Sequence, residues 1–189
     1  ADPAGRWALD QLARGEPVEQ RTPSTAPGTL RVTLDDHALV VDVDGGGIHT
    51  VPVGPAMLLD GPLRGSDPPL PADLTNALGL VQDHLDDLLI EAPSIAATPA
   101  VIASGAHAEA MARVEIGADE IPVGSELHRA AADEVFRTLA VEDAADRRHN
   151  PGLPDEHVES IVATCCVILG VMRRLDLRTV GIQPSQAAP

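Results

Sequence analysis

Between Ile161 and Met172 twelve consecutive residues carry no charge, and nearly all are apolar. A helix that is apolar all round offers water no face, so such a run belongs in the middle of a core. It also falls short of the roughly 20 residues needed to cross a bilayer. The run therefore predicts a buried helix and not a membrane span. Ile161, Val162, Ile168, Leu169 and Met172 each contribute about 1.5–3 kcal/mol on burial, which makes this helix the anchor of the core. Cys165 and Cys166 lie inside it. Adjacent helical side chains point about 100° apart, so a bridge between them would be strained. They read as small buried apolar residues rather than a redox switch, in a reducing cytoplasm.

The elements that must cover this helix are visible upstream. Leu30, Val32 and Leu34 alternate with Arg31, Thr33 and Asp35, the period of a half-buried strand. Ala38 to Val43 and Gly47 to Val53 are β-rich and flank the turn signal Asp44-Gly45-Gly46. Three antiparallel strands are expected, at about 29–35, 38–44 and 47–54, with Pro52 and Pro55 limiting further pairing. Pro71 and Asp73 open a helix whose stripe is Leu74, Leu78, Val81, Leu85, Leu88 and Leu89. Pro93 and Pro99 bracket a loop, Ala100 to Ala103 is a short strand, and a helix follows Ser104-Gly105-Ala106-His107 to about Val114. A further helix is expected from Ser125, as its cap, to Leu139, and the last long one from Pro154-Asp155-Glu156. Thr179 to Ile182 is a final strand. The order is βββ-α-β-α-α-α-β without internal repeats.

A chain of 189 residues fits one domain. Its core must be aliphatic, because the aromatics are Trp7 and Phe136 alone. Residues 1–29, with Trp7, Leu9 and Leu12 followed by Pro17, Pro23 and Pro27, read as an N-terminal arm or linker. Residues 30–184 form the lobe, and 185–189 a Pro- and Ala-containing tail. There is no Lys, and 13 Arg against 29 acidic residues leave a net charge of −16. Such a surface repels nucleic acid and anionic membranes, and no Arg cluster or aromatic platform offsets it. The absent initiator methionine leaves room for the chain being a piece of a longer enzyme.

Four segments resemble the exopolyphosphatase/guanosine pentaphosphatase (Ppx/GppA) family. Thr50 to Leu59 is similar to its S-L-P-L-G-A-V-R-L segment, and Ser66 to Leu74 to the segment that follows. Ala100 to Ala112 resembles its V-x-G-T-x-G-T loop and helix, and Asn150 to Val180 its P-G-L helix region. The resemblance runs over about residues 30–184 and implies an α/β fold, a single ribonuclease-H-like (actin/ASKHA-type) lobe with helices packed on a mixed sheet. It also implies phosphoanhydride hydrolysis in a cleft between two lobes, with a divalent metal and a Glu that positions water on polyphosphate or pppGpp. Such chemistry is mainly positioning and charge neutralisation.

The residues depart from that pattern where phosphate should bind. The family's D-x-G-G-G-S-x-E loop can be laid on Asp42 to His49, which leaves too few residues for the next two strands. The better alignment lays it on Leu34-Asp35-Asp36-His37-Ala38, which has no glycine. Ser104 and Gly105 keep one hydroxyl and one glycine of the other loop, enough to hold an anion at a helix N-terminus. The first lobe has no counterpart. Two expectations follow. One is a catalytically degenerate single-lobe protein that works as an interaction or regulatory protein, its cleft face covered by a homodimer partner or another chain. The other is a Mg²⁺-dependent phosphohydrolase using Asp35, Asp36, Ser104 and Gly105, its cleft completed by a second subunit. Other groupings are read as surface: Asp83, His84, Asp86 and Asp87 as an acidic face, His149 and His157 as free imidazoles, Arg147-Arg148 and Arg173-Arg174 as helix-end charges.

Overall fold

The computed structural model describes residues 28–44, 46–98 and 100–184. The expected arm with Trp7, Leu9 and Leu12, the turn residue Gly45, Pro99 and the tail 185–189 lie outside the described residues. Six strands form one mixed sheet: β1 (Thr29–Leu34), β2 (Leu39–Val43), β3 (Gly47–Val51), β4 (Ala100–Ser104), β5 (Glu126–His128) and β6 (Thr179–Ile182). Their spatial order is β3-β2-β1-β4-β6-β5. The first three are an antiparallel meander, while β4 lies parallel to β1 and β6 parallel to β4. Strand β5 closes the far edge antiparallel to β6.

Period-two patterning sorts the two faces. Leu30, Val32, Leu34, Leu39, Val41, Val101, Ala103, Val180 and Ile182 are buried on one of them. Their alternates Arg31, Thr33, Val40, Asp42, Ile102 and Gly181 are all at least partly exposed on the other. The helices are α1 (Pro55–Asp60), α2 (Pro71–Glu91), α3 (Ala106–Ile116), α4 (Arg129–Leu139), α5 (Ala144–Arg147) and α6 (Ile161–Arg174). Every residue of α6 from Ile161 to Met172 is buried. It packs against α1, α2, α3 and α4, so the apolar run is the hub of the core as its composition demands. Helix α2 approaches it closely because residue 170 is Gly; a β-carbon there would run into Val81 Cγ1. No described helix is long and apolar enough to cross a membrane.

Two expected helix starts are displaced. Glu126–His128 is a strand, and α4 begins at Arg129 rather than at Ser125. These backbone groups find β6 as a partner, and the Ser125 carbonyl accepts from the Ile182 N–H at 2.8 Å. Tertiary pairing thus overrides the helical stripe. The last helix begins at Ile161, preceded by a single 3-10 turn at Asp155–His157. The short α1, with Pro55 in its first turn, was absent from the expected order. Both cysteines are buried and unbridged. Burial pushes the Cys165 thiol well above its ordinary value and Cys166 up to about 12.

Candidate functional site

Parallel neighbours in an open α/β sheet end side by side, and their carboxyl ends are where such folds bind ligands. Here β1 and β4 are those neighbours, with Thr33 opposite Ser104 in the register. The Asp35-Asp36-His37 turn after β1 and the Ser104-Gly105 loop after β4 therefore lie together. All four residues singled out in the sequence fall in this one region.

Local hydrogen bonds hold both loops. The Asp35 N–H donates to the Ala38 carbonyl at 2.9 Å, and the Ala56 N–H, at the start of α1, donates to the Asp36 carbonyl at 2.9 Å. Gly105 is the N-cap of α3 with φ +97°, and a β-carbon there would lie 2.9 Å from the Leu34 carbonyl oxygen. Only glycine suits such a conformation beside another strand's backbone. Ser104 ends β4, and its hydroxyl shares a 2.9 Å hydrogen bond with the Thr33 hydroxyl.

The strongest polar contact in the region belongs to a residue that no sequence motif marks. His107, in the first turn of α3, is buried and bonds through Nε2 to Asp36 Oδ1 at 2.8 Å. Its Nδ1 meets Thr164 Oγ1 of α6 at 3.1 Å. An ionised carboxylate only accepts, so Nε2 carries the proton, and in the neutral ring Nδ1 accepts from the Thr164 hydroxyl. Carboxylate, imidazole and hydroxyl are thus in series, as in a nucleophilic triad, but the exposure runs the wrong way. The Asp36 side chain is 72 % exposed, whereas Thr164 has no exposed surface at all. A hydroxyl sealed in the core cannot attack a substrate, and the relay works instead as a clasp between the β1–β2 turn, α3 and α6.

His157 extends the cluster. Its ring meets His107 edge-on, with centroids 4.8 Å apart. Burial, and then the neighbouring His107, hold its pKa below the ordinary value, while Glu156 and Asp36 pull weakly the other way. His149 is exposed, so the two histidines of that segment have different surroundings. One turn into α3, Glu109 is buried and approaches Arg113 Nη2 at 3.4 Å. A Mg²⁺ ion needs six oxygen ligands, some of which are waters and substrate phosphates. Asp35 and Asp36 are the carboxylates on offer, but Asp36 gives one oxygen to His107, and no cluster of three metal-ligating side chains occurs among the described residues. Asp35 and the second oxygen of Asp36 are what these residues would offer a Mg²⁺ ion, with waters and phosphate oxygens supplying the rest.

The other groupings are engaged elsewhere. Arg147 is buried and binds Asp67 and the Glu142 carbonyl, tying the 66–69 turn to α5. Arg173 pairs with Asp133, and Arg174 with Asp86.

No family model matches the sequence, and no curated protein does. Solved structures do match in fold. The chain superposes on an exopolyphosphatase-like protein with a TM-score of 0.76 at 16% identity, over 89% of this chain and 59% of that one. The Aquifex aeolicus PPX-GPPA enzyme gives a TM-score of 0.72 at 12% identity, over 83% and 53% of the two chains. An exopolyphosphatase from Cytophaga hutchinsonii gives 0.64 at 13%, over 84% and 55%. The chain spans little more than half the length of each of these proteins. Its mixed sheet, its helices and its central α6 thus make a single lobe with the fold of the Ppx/GppA exopolyphosphatases.

Proposed function

We propose that this protein is a catalytically degenerate Ppx/GppA-like lobe that acts in the cytoplasm by binding a partner chain, a second copy or another protein, at its strand-end face. The observation that carries this reading is the clasp of Asp36 by His107 at 2.8 Å. It sets a carboxylate beside the α3 N-terminus, where a polyphosphate chain would otherwise find backbone N–H groups and a favourable dipole. Asp35 stands next to it, and Ser104 already spends its hydroxyl on Thr33. Two unit charges of like sign 4 Å apart repel by about 4 kcal/mol near a protein surface. A polyanion meeting this pair is therefore excluded rather than held.

Phosphate release from polyphosphate and pppGpp tests the reading, on protein whose mass is fixed by light scattering, with Mg²⁺ or EDTA. No release is expected under either condition. Mg²⁺-dependent release that disappears in Asp36→Ala would overturn it in favour of an enzyme completed by a second subunit, working through Asp35, Asp36, Ser104 and Gly105.

A further inference from the structure

The second face of the sheet has no cover among the described residues. One register row crosses all six strands on this face: Ile48, Asp42, Arg31, Ile102, Gly181 and Glu126. None of the six is buried, and Ile48 is 69 % exposed. Parallel strands such as β1, β4 and β6 are ordinarily covered on both sides. Around Arg31 their open side carries Thr33, Ala100, Ser104 and Thr179, all small and uncharged, in a protein whose surface is otherwise strongly acidic. A groove of about 530 Å³ runs over β4, β6 and β5 on this side, bordered by Ile102, Gly181 and Val123.

We propose that this face is the docking surface of the chain's own segment Trp7–Leu12. Size argues for a segment rather than a second protein. Six strands span about 24 Å and run from about 10 to about 20 Å in length, a face of roughly 400 Å². A stable protein–protein interface takes about 800 Å² from each partner. Connection argues for this segment. The 27 residues ahead of Gly28 join the sheet at the foot of β1, in its middle, where Thr29 faces Ala100 across the register. Trp7 lies twenty-one residues ahead of Gly28, within a maximum reach of about 70 Å, and a tethered segment binds at an effective concentration near millimolar. Chemistry agrees as well. Trp7, Leu9 and Leu12 supply apolar area for Ile102 and the groove, and an aromatic of this size buries about 150–250 Å². Arg31 makes no ion pair among the described residues, and the segment brings Asp10.

Trp7 is the chain's sole tryptophan, so fluorescence of the full chain reads the docking directly. Emission is expected at shorter wavelength than in urea, with several-fold weaker acrylamide quenching, and neither should depend on protein concentration. Ile102→Asp is expected to shift the emission to the red and restore quenching to the urea level while far-UV circular dichroism stays unchanged. Should that variant fail to fold, Ala100→Arg at an exposed position of the same face decides. Native Trp7 quenched as freely as in urea overturns the proposal, as does unchanged emission in a folded Ala100→Arg. Protection that grows with concentration also overturns it and assigns the face to a second copy.

Discussion

Helix α6 meets its neighbours in two chemically different ways. Against α2 it offers Gly170, and the facing atoms are the methyl groups of Val81 and Leu85. Against α3 it offers Thr164, whose hydroxyl holds the His107 ring. The first contact is a matter of volume alone: it ignores pH and tolerates no added atom. The second is a matter of proton placement and depends on which ring nitrogen carries hydrogen. One helix thus holds the core at α2 by close packing and holds the strand-end cluster by a polar bond. The core can stay intact while the candidate site changes.

The largest expected effect lies on the α2 side. Gly170→Val forces branched carbons into Val81, a residue with little rotamer freedom in a helix. Overpacking of this kind costs about 1–3 kcal/mol, and a branched side chain belongs at the upper end. For a chain of this size that lowers Tm by about 2–4 °C per kcal/mol. Urea unfolding measures it, and Val81→Ala in the same chain should recover part of the loss. A Gly170→Val variant as stable as the wild type would mean that the two helices are not in contact there.

The α3 side is expected to respond next, and unequally at its two ends. His107→Ala leaves the sealed Thr164 hydroxyl without its partner, a cost of about 1–3 kcal/mol for a buried polar group. Asp36→Ala removes a mostly exposed carboxylate and should cost no more than about 1 kcal/mol. Equal losses would show that the clasp is not ordered as described. A double-mutant cycle between residues 107 and 164 gives the coupling directly.

These two contacts also differ in how far the sequence discloses them. The apolar hub was legible because hydrophobic pattern is local: twelve adjacent residues state that the helix is buried. The meander was legible for the same reason, from the alternation in Leu30 to Leu34 and the β-rich runs on either side of Asp44. The clasp was not, since Asp36 and His107 are 71 residues apart and His107 and Thr164 are 57 apart. A lone His in the first turn of a helix after a strand was its only trace, and nothing nearby names a partner. Strand β5 failed for a related reason. Leu127 fits a helical stripe and a strand equally well, and only the edge of β6 decides between them.

Acid is expected to act beside the second contact, through His157, whose ring packs edge-on against His107. The folded-state pKa of His157 lies below the ordinary imidazole value of about 6.5, so the unfolded chain takes up the proton first as pH falls. The contribution to stability is complete above about pH 6.5 and is lost as pH falls towards the lower folded value. Burial is the largest cause, His107 and Arg113 act with it, and Glu156 and Asp36 oppose it. Tm should therefore decline as pH falls below about 6.5, and His157→Gln should flatten that decline. Gly170→Val should shift the whole curve without changing its shape. A slope unchanged in His157→Gln would place the acid sensitivity elsewhere.

The smallest effect expected is none at all, and it tests the claim that the core stays closed when the cluster is disturbed. Cys165 and Cys166 sit on α6 beside Thr164, fully buried, with thiols raised by desolvation. The thiolate is the reactive form, so neither should react with a thiol reagent in the native protein at neutral pH. Both should react in urea. If the rigid hub and the polar clasp are independent, His107→Ala should leave the two thiols as protected as before, apart from the small increase that its lower global stability implies. Rapid labelling in that variant, out of proportion to its measured stability, would mean that the clasp keeps α6 in place and that the distinction between the two contacts fails.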